Sequence, residues 1–106
     1  MTQYEKDLVV VKQNGYALKY VKDQTPEICL AAVEQDGHAL QFVKDQTPEI
    51  CLAAVTQNGL ALQFVKNQTP ELFDLMLDNN IKIKERYIKI PVESLSFKVQ
   101  LYLKLQ

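Results

Sequence analysis

Two cysteines, one histidine and a set of evenly spaced charges are the residues that could carry chemistry in this chain. Cys29 and Cys51 stand 22 residues apart and could in principle bind a metal, pair with each other or supply a nucleophile. His38 is the only histidine and follows Asp36 by two residues, the smallest fragment of an acid–base relay. Lys22, Lys44 and Lys66 form one row and Glu27, Glu49 and Glu71 another. None of these sets completes a reaction. A metal site needs more ligands than two thiols with one imidazole beyond a turn, and no nucleophile accompanies Asp36 and His38. No glycine-rich phosphate loop is present. The chain therefore reads as a non-enzyme with no cofactor and no metal ligands. The charge rows sit where helix dipoles already favour them, glutamates near N-termini and lysines near C-termini.

The interval of 22 is the period of an internal repeat. Segments 24–45 and 46–67 agree at 18 of 22 positions, differing only at 34/56, 36/58, 38/60 and 45/67. A partial copy opens at Gln68-Thr69-Pro70-Glu71-Leu72, and residues 8–23 are a diverged copy in the same register. The array thus covers units 2–23, 24–45, 46–67 and a partial 68–78. Within a unit, Thr25-Pro26-Glu27 is a helix start: a hydroxyl N-cap, a proline where no N–H is needed and a carboxylate facing the dipole. A helix of about ten residues runs to Asp36, where Gly37 is expected to supply a left-handed stop. A second, shorter helical pattern follows through Ala39, Leu40, Phe42 and Val43. The six apolar residues Ile28 to Val33 need cover on several sides, which only neighbouring units can provide. Cys29 and Cys51 then read as small core residues about one repeat apart, too distant for a disulfide.

At position 81 the repeat expects glycine and finds Ile81. From there apolar and polar residues alternate, ending in Leu95, Phe97, Val99, Leu101, Leu103 and Leu105. Alternation of period two predicts strands, and two strands around Pro91-Val92-Glu93-Ser94 make a β-hairpin tail or cap over 79–106. Such a hairpin must pack on the last repeat or pair with another chain. Charge divides at the same boundary, from a net −5 over residues 1–78 to +4 over 79–106. Four net positive charges are few for a phosphate footprint, so nucleic acid is not the expected partner.

Differences between units fall in three columns: Lys12, Glu34 and Thr56; Asn14, Asp36 and Asn58; Tyr16, His38 and Leu60. They cluster around the glycine turn and form the candidate partner-contact edge. The chain, 47% hydrophobic and 24% charged over 106 residues, has the composition of an ordered globular protein. No apolar run reaches the roughly 18 residues of a membrane span. The N-terminus lacks the pattern of a signal peptide, and two cysteines fit a cytoplasmic or other reducing compartment.

The string Ala39 to Val55, with Lys12 to Val21, resembles a short repeat family catalogued as a domain of unknown function, found in repeat proteins of giant amoebal viruses and various bacteria. The resemblance covers about residues 8–78 and implies a helical repeat array in a viral or host-cell cytoplasm; it brings no reaction and no site residues. The expected architecture is mainly α: a short α-solenoid of 22-residue helical hairpins with a C-terminal β-hairpin. The expected function is protein–protein interaction with an unknown partner. The alternative is a structural protein that self-assembles into a homo-oligomer through its C-terminal strands.

Overall fold

A computed structural model describes all 106 residues and contains helices but no strand. Five α-helices follow one another: α1 (Gln3–Gln13), α2 (Pro26–Gln35), α3 (Pro48–Gln57), α4 (Pro70–Asp78) and α5 (Phe97–Lys104). After each of the first three comes a six-residue 3-10 segment, at Gly15–Tyr20, Gly37–Phe42 and Gly59–Phe64. The units stack in sequence order into a rod of 51 × 19 × 19 Å.

Each unit starts as its residues dictate. The hydroxyls of Thr25, Thr47 and Thr69 accept from the third backbone amide of α2, α3 and α4, and proline fills the first helical position. Ile28, Ala32 and Val33 are buried completely and repeat as Ile50, Ala54 and Val55. Leu40 and Val43, repeated as Leu62 and Val65, close the core from the 3-10 side. Each such isoleucine, leucine or valine contributes about 2 kcal/mol by leaving water. In α1 the positions of Ile28 and Cys29 are taken by Lys6 and Asp7, which gives the first unit a polar end.

The glycines work differently from the expectation. None has a positive φ, and α1, α2 and α3 end on extended Asn14, Asp36 and Asn58. What glycine supplies is room. A Cβ on Gly15 would lie 2.5 Å from the Ala32 carbonyl oxygen, and one on Gly37 the same distance from that of Ala54. The next helix therefore rests its backbone against the glycine of the unit before. The left-handed stop does occur, but at Asn80 (φ 58°), where the Ile81 amide donates to Met76 and the Asn80 amide to Leu77.

The C-terminal β-hairpin does not form. Residues 79–106 make two short 3-10 turns, Glu85–Tyr87 and Val92–Ser94, followed by α5. Alternation misled because residues spaced by two also contain pairs spaced by four. Leu95, Val99 and Leu103 fall on one side of the helix, Phe97, Leu101 and Leu105 on another. Ser96 decides between helix and strand: its hydroxyl accepts from the Val99 amide and starts the helix. Val99 is fully buried and Leu95 nearly so, whereas Phe97 is 80% exposed.

Candidate interaction surface

Carboxamides hold the array together, some closing a unit on itself and others joining it to the unit before. The Gln24 side chain donates to the Phe42 carbonyl (2.8 Å) and accepts from the Lys44 amide (3.0 Å), both at the far end of its own unit. Gln46 repeats this with Phe64 (2.9 Å) and Lys66 (2.9 Å), and Gln68 with Tyr87 (2.8 Å) and Lys89 (2.7 Å). In the other direction, Gln35 accepts from the Gly15 amide and Gln57 from that of Gly37. These glutamines satisfy backbone groups that no helix or sheet ladder would reach. The sequence reading gave them no role, although a polar residue held constant in units whose surface varies was a signal for one.

The nine candidate edge residues divide by what they touch. Asn14, Asp36 and Asn58 use their side-chain oxygens to cap the 3-10 segments, accepting from the amides of Tyr16, His38 and Leu60. Tyr16 stands edge-on to Phe42 at 5.5 Å between ring centroids, and His38 edge-on to Phe64 at 5.7 Å. The Asn58 oxygen accepts from the Leu60 amide, and its nitrogen lies 3.4 Å from His38 Nδ1 in the unit before. Asp36 lies 3.5 Å from the same atom. Leu60 is half-buried. These two columns therefore take part in holding units together.

Lys12, Glu34 and Thr56 behave otherwise. All three are exposed on α1, α2 and α3, and Asp78 continues the column on α4. Beside them runs a half-buried row, Leu8, Leu30, Leu52 and Asp74. Together they form a ridge along the rod. Between α2 and α3 it opens into a cleft with Leu30, Leu52 and Ala53 at its floor and Glu34, Glu49 and Thr56 around it. Thr56 turns its hydroxyl back to the Leu52 carbonyl (2.7 Å), so the charge on the rim comes from the two carboxylates, with the Gln57 carboxamide beside them.

The two cysteines are buried and unpaired. Burial raises both thiol pKa values, and the Asp45 carboxylate adds to the effect at Cys29. A group so disposed is a poor nucleophile at neutral pH. At the ends of the rod, Tyr4 donates to Glu27 (2.6 Å), which raises the phenol's pKa. Lys98 donates to Asp78 (2.8 Å), which raises that of the ammonium. No helix is long and apolar enough to cross a membrane.

A family model with the description "Domain of unknown function (DUF4116)" matches residues 8–47 and again residues 25–69. The two matches are displaced by less than their length, as expected of a short unit repeated in tandem. A search of the curated proteins found no match, and neither did a search of the solved structures.

Proposed function

We infer that this chain, which belongs to the DUF4116 family of unknown function, is a protein–protein interaction module built as a short α-solenoid. The observation that carries the reading is the division of labour between columns. Keeping the joint the same in each unit leaves one set of side chains, Lys12, Glu34 and Thr56, free to differ beside a constant row of leucines. A ridge of changing charge over a constant scaffold is how stacked repeats present a partner surface. The turn-edge residues Asn14, Asp36, Asn58, Tyr16, His38 and Leu60 would then shape that surface more than meet the partner. No reaction is assigned to the chain. Free thiols on successive units favour a reducing compartment, in keeping with a viral or host-cell cytoplasm.

The test is affinity capture from the native host with the intact chain and with Glu34→Lys/Thr56→Lys, whose fold is checked by circular dichroism. A protein retained by the first and lost by the second is the expected result. Capture indifferent to the ridge substitutions would overturn the assignment of the surface.

A further inference from the structure

We propose that the cleft between α2 and α3 receives α5 of a second copy of this chain. The proposal rests on the reading above and commits its surface to one partner. Two complementary halves stand on the same molecule. The cleft is apolar at Leu30, Leu52 and Ala53 and edged by the exposed carboxylates Glu34 and Glu49. The outer face of α5 is Phe97, Leu101 and Leu105, exposed by 80, 44 and 76%. At 100° per residue these three span an arc of about 80°, with Lys104 flanking one side and Lys98 the other. A lysine-flanked apolar helix and a carboxylate-edged apolar cleft are the two parts of helix-in-groove recognition.

The charges of the whole chain point the same way. Residues 1–78 carry −5 and residues 79–106 carry +4, so the two regions attract between copies. The chain also holds α5 by acidic groups at the same repeat positions, though by the helix's other face. Its own α5 docks on α4 through Lys98 to Asp78 and through Ser96 to Asp74 (2.6 Å). Asp78 and Asp74 occupy the repeat positions of Glu34 and Leu30. That docking uses the Leu95, Val99 and Leu103 side of the helix and leaves the Phe97 side uncovered. The N-terminal end is a poorer match for that side, because Lys6 and Asp7 stand where inner units bury isoleucine and cysteine, leaving it less apolar and without a net negative charge.

Sedimentation of the full chain across a concentration series tests this. The mass should rise above one chain with concentration, and the association should weaken as salt screens the charges. Glu34→Lys/Glu49→Lys and, separately, Lys104→Glu should each weaken it by about tenfold or more. Combining all three in one chain should restore most of the loss. Leu101→Glu, at an exposed position, should abolish association while circular dichroism stays unchanged. A monomer at every concentration would overturn the proposal and leave the ridge open to other partners. Association that ignores Glu34→Lys/Glu49→Lys, or that the triple variant fails to restore, would overturn it in favour of α5 pairing with α5. Capture of a host protein without self-association would retire this proposal and sustain the broader one.

Discussion

The joint between the second and third units and the joint that follows the third solve one problem with different residues. In the first, Gly37 admits the Ala54 backbone and Gln57 accepts from the glycine amide, while Gln46 at the head of the third unit ties that unit's own 3-10 segment. In the second, Gly59 is kept, but Asn79 stands where Gln57 would recur and Ile81 where the next glycine is expected. The close approach is gone: a Cβ on Gly59 would meet the Lys82 carbonyl oxygen at an ordinary 3.4 Å. The chain leaves α4 through left-handed Asn80 instead. Yet Gln68 still spans the gap to Tyr87 and Lys89 as Gln24 and Gln46 do. The backbone of the repeat thus outlasts its sequence by part of a unit, tied back by the buried Gln68 carboxamide and by the Lys89 ammonium on the Gln63 carbonyl (2.8 Å). Tight stacking and correct placement are separable properties of the joint.

The largest effect that would break this comparison is at the glycines. Gly37→Ala drives a methyl into a backbone oxygen that cannot move without its helix, and should cost about 3 kcal/mol in urea unfolding. Gly59→Ala meets open contact and should change stability by less than about 1 kcal/mol in either direction. Equal losses at both would mean that the two joints are packed alike.

A smaller effect sharpens the shared element. Removing the side chain in Gln46→Ala strands the Phe64 carbonyl and the Lys66 amide; Gln68→Ala strands those of Tyr87 and Lys89. Each should cost about 2 kcal/mol in urea unfolding. Gln68 is also the only buried polar side chain, exposed by 6%, and its bonds are all made within the protein. A negligible loss at Gln68 beside a full loss at Gln46 would show that residues past 80 follow the array without being held by it.

Legibility of the fold followed the physics of each signal. Thr25-Pro26 and its repeats announced their helices, since a cap acts on residues adjacent in sequence. The glycines were legible as punctuation but not in purpose, because a close approach involves a carbonyl from another unit and leaves no local trace. In the tail, alternation from Leu95 to Leu105 satisfied a strand and a two-faced helix equally, and only the Ser96 cap and burial of Val99 separated them. Of the candidate edge, Lys12, Glu34 and Thr56 lie exposed on the ridge, while the asparagine–aspartate and aromatic columns varied for a reason inside the joint. Variation alone does not distinguish a surface from a tolerant contact.

The smallest effect concerns where cooperativity ends. Thr47 caps α3 and Ser96 caps α5 by the same bond, a hydroxyl accepting from the third helical amide at 3.2 and 3.3 Å. Removing either hydroxyl should weaken its helix by about 1 kcal/mol. The two losses should nonetheless be read by different measurements. α3 is packed between neighbours on both sides, so Thr47→Ala destabilises everything that folds with it and should lower the urea midpoint of the whole chain. α5 rests on α4 and, where the Tyr102 hydroxyl accepts from the Ile83 amide, on the segment before it, and it buries little besides Val99 and parts of Tyr102 and Leu103. Ser96→Ala, which also removes the bond to Asp74, should therefore release α5 before the array unfolds. Hydrogen exchange would show faster amides over residues 97–104 with those of α2 and α3 unchanged, and the urea midpoint would barely move. If Ser96→Ala instead lowers the midpoint as Thr47→Ala does, α5 belongs to the cooperative unit. The left-handed exit at Asn80 would then be a bend within one array and no boundary at all.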